Sequence, residues 1–221
     1  MSKSDTRYPL DLAQGLASSL IDAIGPDAVE RIAVAGSIRR ARPDVGDIDL
    51  VVIPRIEQSP AGLLGECEPV DRLRERLHNL DVRSTRVQAL SIRSWGEQVI
   101  GGEWAVLGES MPVQIYVTDA ARWAMTLFLR TGSEAHNVTL AAAAKARGYK
   151  LSVSQGRLIC ACTDERFARD VALEHWPDVP LSRDASQADF EAAVHHALGL
   201  AWLPPSARDP GPGRWVRPLG R

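Results

Sequence analysis

Asp47 and Asp49 stand one residue apart, in a run that opens at Gly46 and continues apolar through Ile48 and Leu50 to Ile53. Residues i and i+2 of a strand project to the same face, so the two carboxylates point together. Like charges held side by side repel unless a cation lies between them, and hard divalent ions such as Mg2+ take one or two carboxylates along with substrate phosphates. The pair is therefore read as a metal clamp, for Mg2+ or for Mn2+ in its place. Just upstream, a turn supplies groups of the complementary kind. Gly36 lets the backbone approach a ligand closely, Ser37 offers a hydroxyl and a main-chain N–H, and Arg39, Arg40 and Arg42 carry guanidinium forks suited to phosphate. An ordinary hairpin with a solvated charged end would account for a lone Asp-x-Asp. It does not account for Gly-Ser, an arginine cluster, Gly46 and both acids in this order.

To hold these groups, residues 31–54 must run strand, Gly-Ser turn, basic loop, strand. The second strand, apolar through Ile53, is expected to be buried on both faces. Its surroundings are those of a folded globular chain: 221 residues, 45% hydrophobic and 24% charged, are enough for a substantial core. No apolar run approaches bilayer length and residues 1–14 lack the apolar core of a secretion signal, so no membrane partner and a cytoplasmic location are expected. Cys67, Cys160 and Cys162 are badly spaced for zinc or a disulfide framework, and are read as reduced and structural. The formal net charge of −2 argues against a large sequence-independent DNA footprint. Basic character is instead local, near the acid pair and in the arginines after Pro204 (Arg208, Arg214, Arg217, Arg221), where a flexible solvated tail is expected.

The segment GSIRRARPDVGDIDLVV, residues 36–52, resembles the palm signature of the X-family DNA polymerases, nucleotidyltransferases that include DNA polymerase beta. The resemblance implies that Ser37 and Arg40 touch an incoming nucleoside triphosphate, that Gly36 and Gly46 shape its site, and that Asp47 and Asp49 bind metal. In the strand MPVQIYVTD the family carries a third Asp that ligates the catalytic metal and helps to activate the primer 3′-hydroxyl; here that position holds Gln114. An amide oxygen can coordinate a hard cation, but it is uncharged and cannot act as a general base. The words RTGSEAHN, residues 130–137, match the family's TGS element, which implies a nucleotide pocket shaped by Gly132 and Ser133, with Asn137 beside the nucleotide. Leu129 and Arg130 stand where many members have an aromatic pair, which leaves sugar choice open. About thirty residues precede the first strand, so a palm and thumb without lyase or hairpin modules, and a weak distributive grip on DNA, are expected.

The rest of the chain reads as follows. Leu10 to Ile24 is apolar at helical spacing after Pro9 and stops at Gly25. Glu57 to Cys67 reads as loop and Pro69 to Leu80 as a short helix with Val70, Leu73, Leu77 and Leu80 on one side. Asp81 to Thr118 reads as hairpins punctuated by Gly96, Gly101, Gly102, Gly108 and Pro112, with Glu109 in a turn. Asp119 is expected to cap a helix over residues 120–130, and Ser133 a second through Arg147, closed by Gly148. A hairpin is expected over Tyr149 to Cys162, then helices over residues 164–175 and 184–200, the latter with a Ser186/Asp189 capping box and Phe190, Val194 and Leu198 facing a core. His136 is read as a packed or solvated helix histidine, and His195-His196 has no acid or cysteine partner at ligand spacing.

The expected class is α+β: residues 1–119 a nucleotidyltransferase palm with an N-terminal helix, 120–205 a thumb-like helical subdomain, 206–221 the tail. Three functions compete. One is metal-assisted transfer of a nucleotide to a DNA 3′ end at a primer-template. Another is a catalytically impaired binder of nucleotide or DNA ends, and the third is transfer to a non-DNA acceptor. The sequence leaves the oligomeric state open.

Overall fold

The computed structural model describes residues 6–61, 66–82, 85, 87–152, 157–160 and 185–209. The chain divides into two compact units, residues 1–38 with 42–120 and residues 39–41 with 121–221. The whole is α+β, with a mixed sheet flanked by helices.

In the first unit, α1 (Leu10–Ile24) buries Ala13, Leu16, Ala17, Leu20 and Ile24, one face at 3.6-residue spacing. Burying each of the large aliphatic side chains contributes roughly 1.5–3 kcal/mol. Pro9 presets the entry and Gly25, at φ +76°, ends the helix. The sheet runs in the order β2 (Val29–Val34), β4 (Ile48–Pro54), β9 (Glu109–Val117), β8 (Val99–Val106), β7 (Gln88–Trp95). The β4–β9 pair is parallel and the others are antiparallel. Ile48, Leu50 and Val52 of β4, with Val113 and Ile115 of β9, join the α1 side chains in one core. Leu50, Val51 and Val52 are all fully buried, as the apolar run requires. Trp104 of β8 is fully buried too, and its Nε1–H donates to Ser19 Oγ of α1 at 2.9 Å.

Several boundaries depart from the sequence reading. Between the main strands, the Gly-Ser turn is a single helical turn, α2 (Gly36–Arg39), followed by a two-residue strand β3 (Asp44–Val45) paired with β1 (Tyr8–Pro9). The expected loop after Arg55 is an antiparallel ribbon, β5 (Ile56–Ala61) with β6 (Glu66–Asp71). Of its side chains whose burial is described, Ile56, Glu57, Gln58, Glu68 and Pro69 are exposed, so they leave no alternating apolar signal. Pro69 and Val70 belong to β6, and helix α3 (Arg72–Val82) starts later because Asp71 Oδ1 caps it, accepting from Arg74 N at 3.0 Å. Leu73 and Leu77 are fully buried as expected. Gly96 and Gly108 do mark turns, but Gly101 and Gly102 lie inside β8 and Pro112 inside β9. A Cβ on Gly102 would stand 2.5 Å from the Ser91 carbonyl oxygen, so this glycine answers a close strand approach beside the irregularity in β7. Asp119 is not a helix cap. Thr118 N still bonds Val52 O at 2.9 Å, a turn follows, and α4 (Trp123–Thr131) has Arg122 at its cap position.

The second unit holds α4, α5 (Glu134–Ala146), the hairpin β10 (Tyr149–Ser152) with β11 (Arg157–Cys160), α6 (Gln187–Ala197) and a 3-10 turn at Pro205–Ala207. Ser133 caps α5, its oxygen accepting from His136 N, and Ser186 with Asp189 forms the expected capping box on α6. Phe128, Leu129, Leu140, Val194 and Leu198 form its core. Residues 153–156 within the expected hairpin, Cys162 at its end and the helix expected over residues 164–175 lie outside the described residues. No helix among the described residues is long and apolar enough to cross a membrane.

Candidate active site

The acid strand is built around one close contact. Ala35 N bonds Asp49 O at 2.8 Å, which draws the end of β2 along β4 and sets Gly36 against the Asp49 side chain. A Cβ on Gly36 would stand 1.9 Å from Asp49 Oδ2, and Gly36 has φ +56°. Both space and backbone conformation therefore demand glycine here. Asp49 is half-buried, on the β4 face opposite Leu50 and Val52, and Asp47, also half-buried, stands one residue before the strand begins. Ser37 follows in α2; its Oγ is buried without a hydrogen-bond partner among the described residues.

Gln114 falls in register with Asp49 in the parallel β4–β9 pair, so the two side chains share a face. Tyr116, two residues on and 9% exposed, shares that face too, and its hydroxyl donates to Gln114 Oε1 at 2.7 Å. Among the described residues no group of three or more His, Cys, Asp or Glu could hold a metal ion. The register brings one carboxylate, Asp49, and one amide, Gln114, to the same face.

Sequence reasoning passed over Arg7. The β1–β3 pairing, Tyr8 opposite Val45 and Pro9 opposite Asp44, carries Arg7 alongside Gly46, where a Cβ would meet Arg7 Nη1 at 2.2 Å. A cation thus lies against the residue before Asp47, and Gly46 is what lets it in. An isolated arginine next to a two-residue strand carries no periodic signal that could have marked it.

The other site residues belong to the second unit. Arg40 donates from Nε to Asp209 at 2.6 Å and from Nη1 to Thr131 O. Gly132, at φ +68°, leaves room beside it, since a Cβ there would stand 3.2 Å from Arg40 Nη1. Ser133 Oγ donates to Arg208 O at 2.6 Å, and Asn137 Nδ2 donates to Leu129 O at 2.8 Å. Asn137 Oδ1 is buried without a partner among the described residues. The structure thus groups Gly36, Ser37, Gly46, Asp47, Asp49 and Gln114 in one unit and Arg40, Gly132, Ser133 and Asn137 in the other.

Below the second group lies a buried ionic network. Glu191, 1% exposed, accepts from Arg39 at 2.8 Å and Gln187 at 3.0 Å through Oε1, and from Arg208 at 2.5 Å through Oε2. Burial pushes the Glu191 carboxyl up, and the Arg208 and Arg39 guanidiniums outweigh it, holding the group below the ordinary carboxylate range. Arg208 is itself fully buried and lies 4.9 Å over the Phe128 ring. This corrects its assignment to a solvated basic tail, because an arginine that meets a buried carboxylate is held by it.

His136 and His195 are also fully buried, their Nε2 atoms 3.0 Å apart. His195 Nδ1 donates to Glu191 O at 2.6 Å, which leaves its Nε2 to accept from His136 Nε2–H. His136 Nδ1 is then a bare lone pair, and it has no partner among the described residues. Burial, reinforced by the Arg208 charge, pushes the His136 imidazole down to about 3, and burial lowers His195 as well. His136 is packed rather than catalytic. The signal for this network was present in α6, where Glu191, Val194, His195 and Leu198 fall on one helical stripe and two of the four are polar.

Residues 126–209 match the family model of the DNA polymerase beta thumb. No curated protein matches the chain. The match supports an X-family polymerase-like protein and suggests nucleotidyltransferase character and DNA binding. The mixed sheet flanked by helices is consistent with a polymerase-beta-like thumb and palm.

Proposed function

We propose that this chain is an X-family-type nucleotidyltransferase that adds a nucleotide from a deoxynucleoside triphosphate to a DNA 3′ end, in gap filling or short repair synthesis. Residues 1–119 serve as palm and 120–205 as thumb. The reading is carried by the acid strand: Asp49 seated against Gly36, a fit that any side chain at position 36 would destroy, in the same chain as the polymerase beta thumb match. Two half-buried carboxylates, Asp49 on β4 and Asp47 just ahead of the strand, in one unit with a buried hydroxyl without a partner among the described residues at Ser37, suit a hard divalent ion that arrives with a triphosphate. Such an ion, when bound, neutralises phosphate charge and favours in-line displacement at the α-phosphorus.

In this scheme Ser37 and Arg40 hold the triphosphate, Arg7 adds a cation beside Asp47, and Gly132, Ser133 and Asn137 shape the nucleotide pocket. The DNA 3′-hydroxyl gives up its proton to water, its oxygen attacks the α-phosphorus, the bond from that phosphorus to the bridging oxygen breaks, and pyrophosphate leaves. In the structure Arg40 is paired with Asp209, so a phosphate on its Nε would replace that carboxylate.

One observation favours a second reading, a catalytically impaired binder of nucleotide and DNA ends. Beside Asp49 the register places Gln114, which has no charge to hold a further ion and no basicity to take the 3′-hydroxyl proton. Primer extension separates the two. Extension of a primer-template by the wild-type chain with Mg2+ or Mn2+ is the expected result. Extension by Gln114→Asp alone would favour the impaired binder, and extension by neither would overturn DNA-directed transfer.

A further inference from the structure

We propose that Gln114 is a hydrogen-bond donor to the bound triphosphate and not a metal ligand, that Tyr116 holds it in that role, and that the acid pair consequently takes one divalent ion per bound triphosphate. This rests on the triphosphate reading above, and deepens it by giving the amide a function of its own.

An amide offers one oxygen acceptor and two N–H donors. In Gln114 the oxygen already accepts from the Tyr116 hydroxyl at 2.7 Å, and Tyr116 is packed at 9% exposure, so the phenol is not loose. A neutral oxygen that already receives a proton donor is a weak ligand beside two carboxylates, and an amide nitrogen does not ligate hard cations. What the group retains is its pair of N–H donors. Among the described residues they have no acceptor, although the register sets Asp49 on the neighbouring strand. The side chain is half-buried, so a ligand can reach it. The acceptors with the right chemistry are the oxygens of a phosphate chain held at the acid face. There the amide adds a neutral donor where a third carboxylate would repel the same phosphates. Tyr116 is thus a positioning residue. Without its hydroxyl the amide turns about its last bond and can present oxygen or nitrogen equally.

The test uses the full chain with a non-hydrolysable deoxynucleoside triphosphate analogue, Mn2+ counted by electron paramagnetic resonance, and triphosphate affinity measured by calorimetry. The wild-type chain is expected to bind one Mn2+ in the ternary complex, and Gln114→Asp two. Gln114→Ala and Tyr116→Phe should keep one ion and each lose about threefold to tenfold in triphosphate affinity, the worth of one hydrogen bond. The double variant should lose no more than either single one, because the two residues act as a unit. Two ions in the wild-type chain, with one lost in Gln114→Ala, would overturn the proposal, as would unchanged affinity in both single variants. If the wild-type chain binds no triphosphate, the nucleotide reading falls and takes this proposal with it. Thermal unfolding of each variant guards against a folding defect.

Discussion

Around Asp49, polar groups keep bonding capacity in reserve: Ser37 Oγ is buried without a partner among the described residues, and the Gln114 nitrogen has no acceptor there. Around Glu191, in the other unit, both oxygens of a fully buried carboxylate are matched to donors from Arg39, Gln187 and Arg208, and two imidazoles bond each other, while His136 Nδ1 and Arg208 Nη1 are left without a partner among the described residues. A buried polar group without a partner costs about 1–3 kcal/mol in either place, so the difference between the two regions lies in the carboxylates, half-buried at Asp49 and fully buried with both oxygens paired at Glu191. A carboxylate paired on both oxygens does its work in the folded state itself. The acid strand is thus read as waiting for a ligand, and the Glu191 network as holding three segments of the helical unit together.

The sharpest way to break this comparison is to remove one partner of the paired carboxylate. Arg208→Met leaves one Glu191 oxygen facing no cation in a buried setting, and is expected to cost about 3–5 kcal/mol in urea unfolding. Replacing Arg39, Glu191 and Arg208 together by apolar residues of similar size should recover most of that loss, because no uncompensated charge remains. A loss under about 1 kcal/mol for Arg208→Met would place the network among exposed ion pairs of little consequence. Next in size is Asp49→Asn. It should weaken metal-dependent triphosphate binding on the order of 100-fold or more, since one of two hard ligands is gone. Its unfolding midpoint should stay near that of the wild-type chain.

The imidazole pair gives a third test, in pH. The bond between His136 and His195 requires a neutral His195, whose Nε2 lone pair accepts it, and the groups facing the pair, Arg208, Arg40 and Glu191, include two cations that oppose a positive charge on His136. Folded His136 has its pKa near 3, against an ordinary 6.5, so below pH 6.5 the unfolded chain takes up a proton that the folded chain refuses. Stability from this residue is therefore complete above 6.5 and falls as the pH drops toward 3. The expected slope is about 1.4 kcal/mol per pH unit for each imidazole so affected, roughly 2 kcal/mol between pH 6.5 and 5. His136→Gln, which keeps an N–H for His195 but does not titrate, should flatten part of that slope. An unchanged slope would move its origin elsewhere.

What the sequence made legible follows from where its signals are local. Leu16, Leu20 and Ile24 repeat at helical spacing, and α1 lies where that spacing puts it. The apolar run after Asp49 is a central strand because a strand covered on both faces needs apolar residues on both. Ser133 and Ser186 cap helices because their hydroxyls reach backbone N–H groups within the next turn. The β5–β6 ribbon stayed hidden because its described side chains from Ile56 to Gln58 are exposed and carry no alternating apolar pattern. Arg208 was misread because its partner Glu191 is seventeen residues away, and an arginine among prolines looks solvated until that carboxylate is in place. Tyr116 was similarly invisible: an alternating strand pattern says which face a tyrosine takes, and nothing about the amide that its hydroxyl meets.

The smallest expected effect on stability is at Ser37, and it distinguishes the two regions most directly. Removing a polar atom from the Glu191 network leaves a charge without its partner, whereas the Ser37 hydroxyl makes no hydrogen bond among the described residues. Ser37→Ala therefore abolishes a desolvation cost and no contact, and should leave the unfolding free energy within about 0.5 kcal/mol of the wild-type value, on the stabilising side. If the hydroxyl serves a phosphate oxygen as proposed, the same substitution should weaken triphosphate binding about threefold to tenfold. Stability and binding would then move in opposite directions from the loss of a single oxygen. Should Ser37→Ala destabilise the fold and leave triphosphate affinity untouched, the acid strand would resemble the helical unit after all, a structure satisfied within itself.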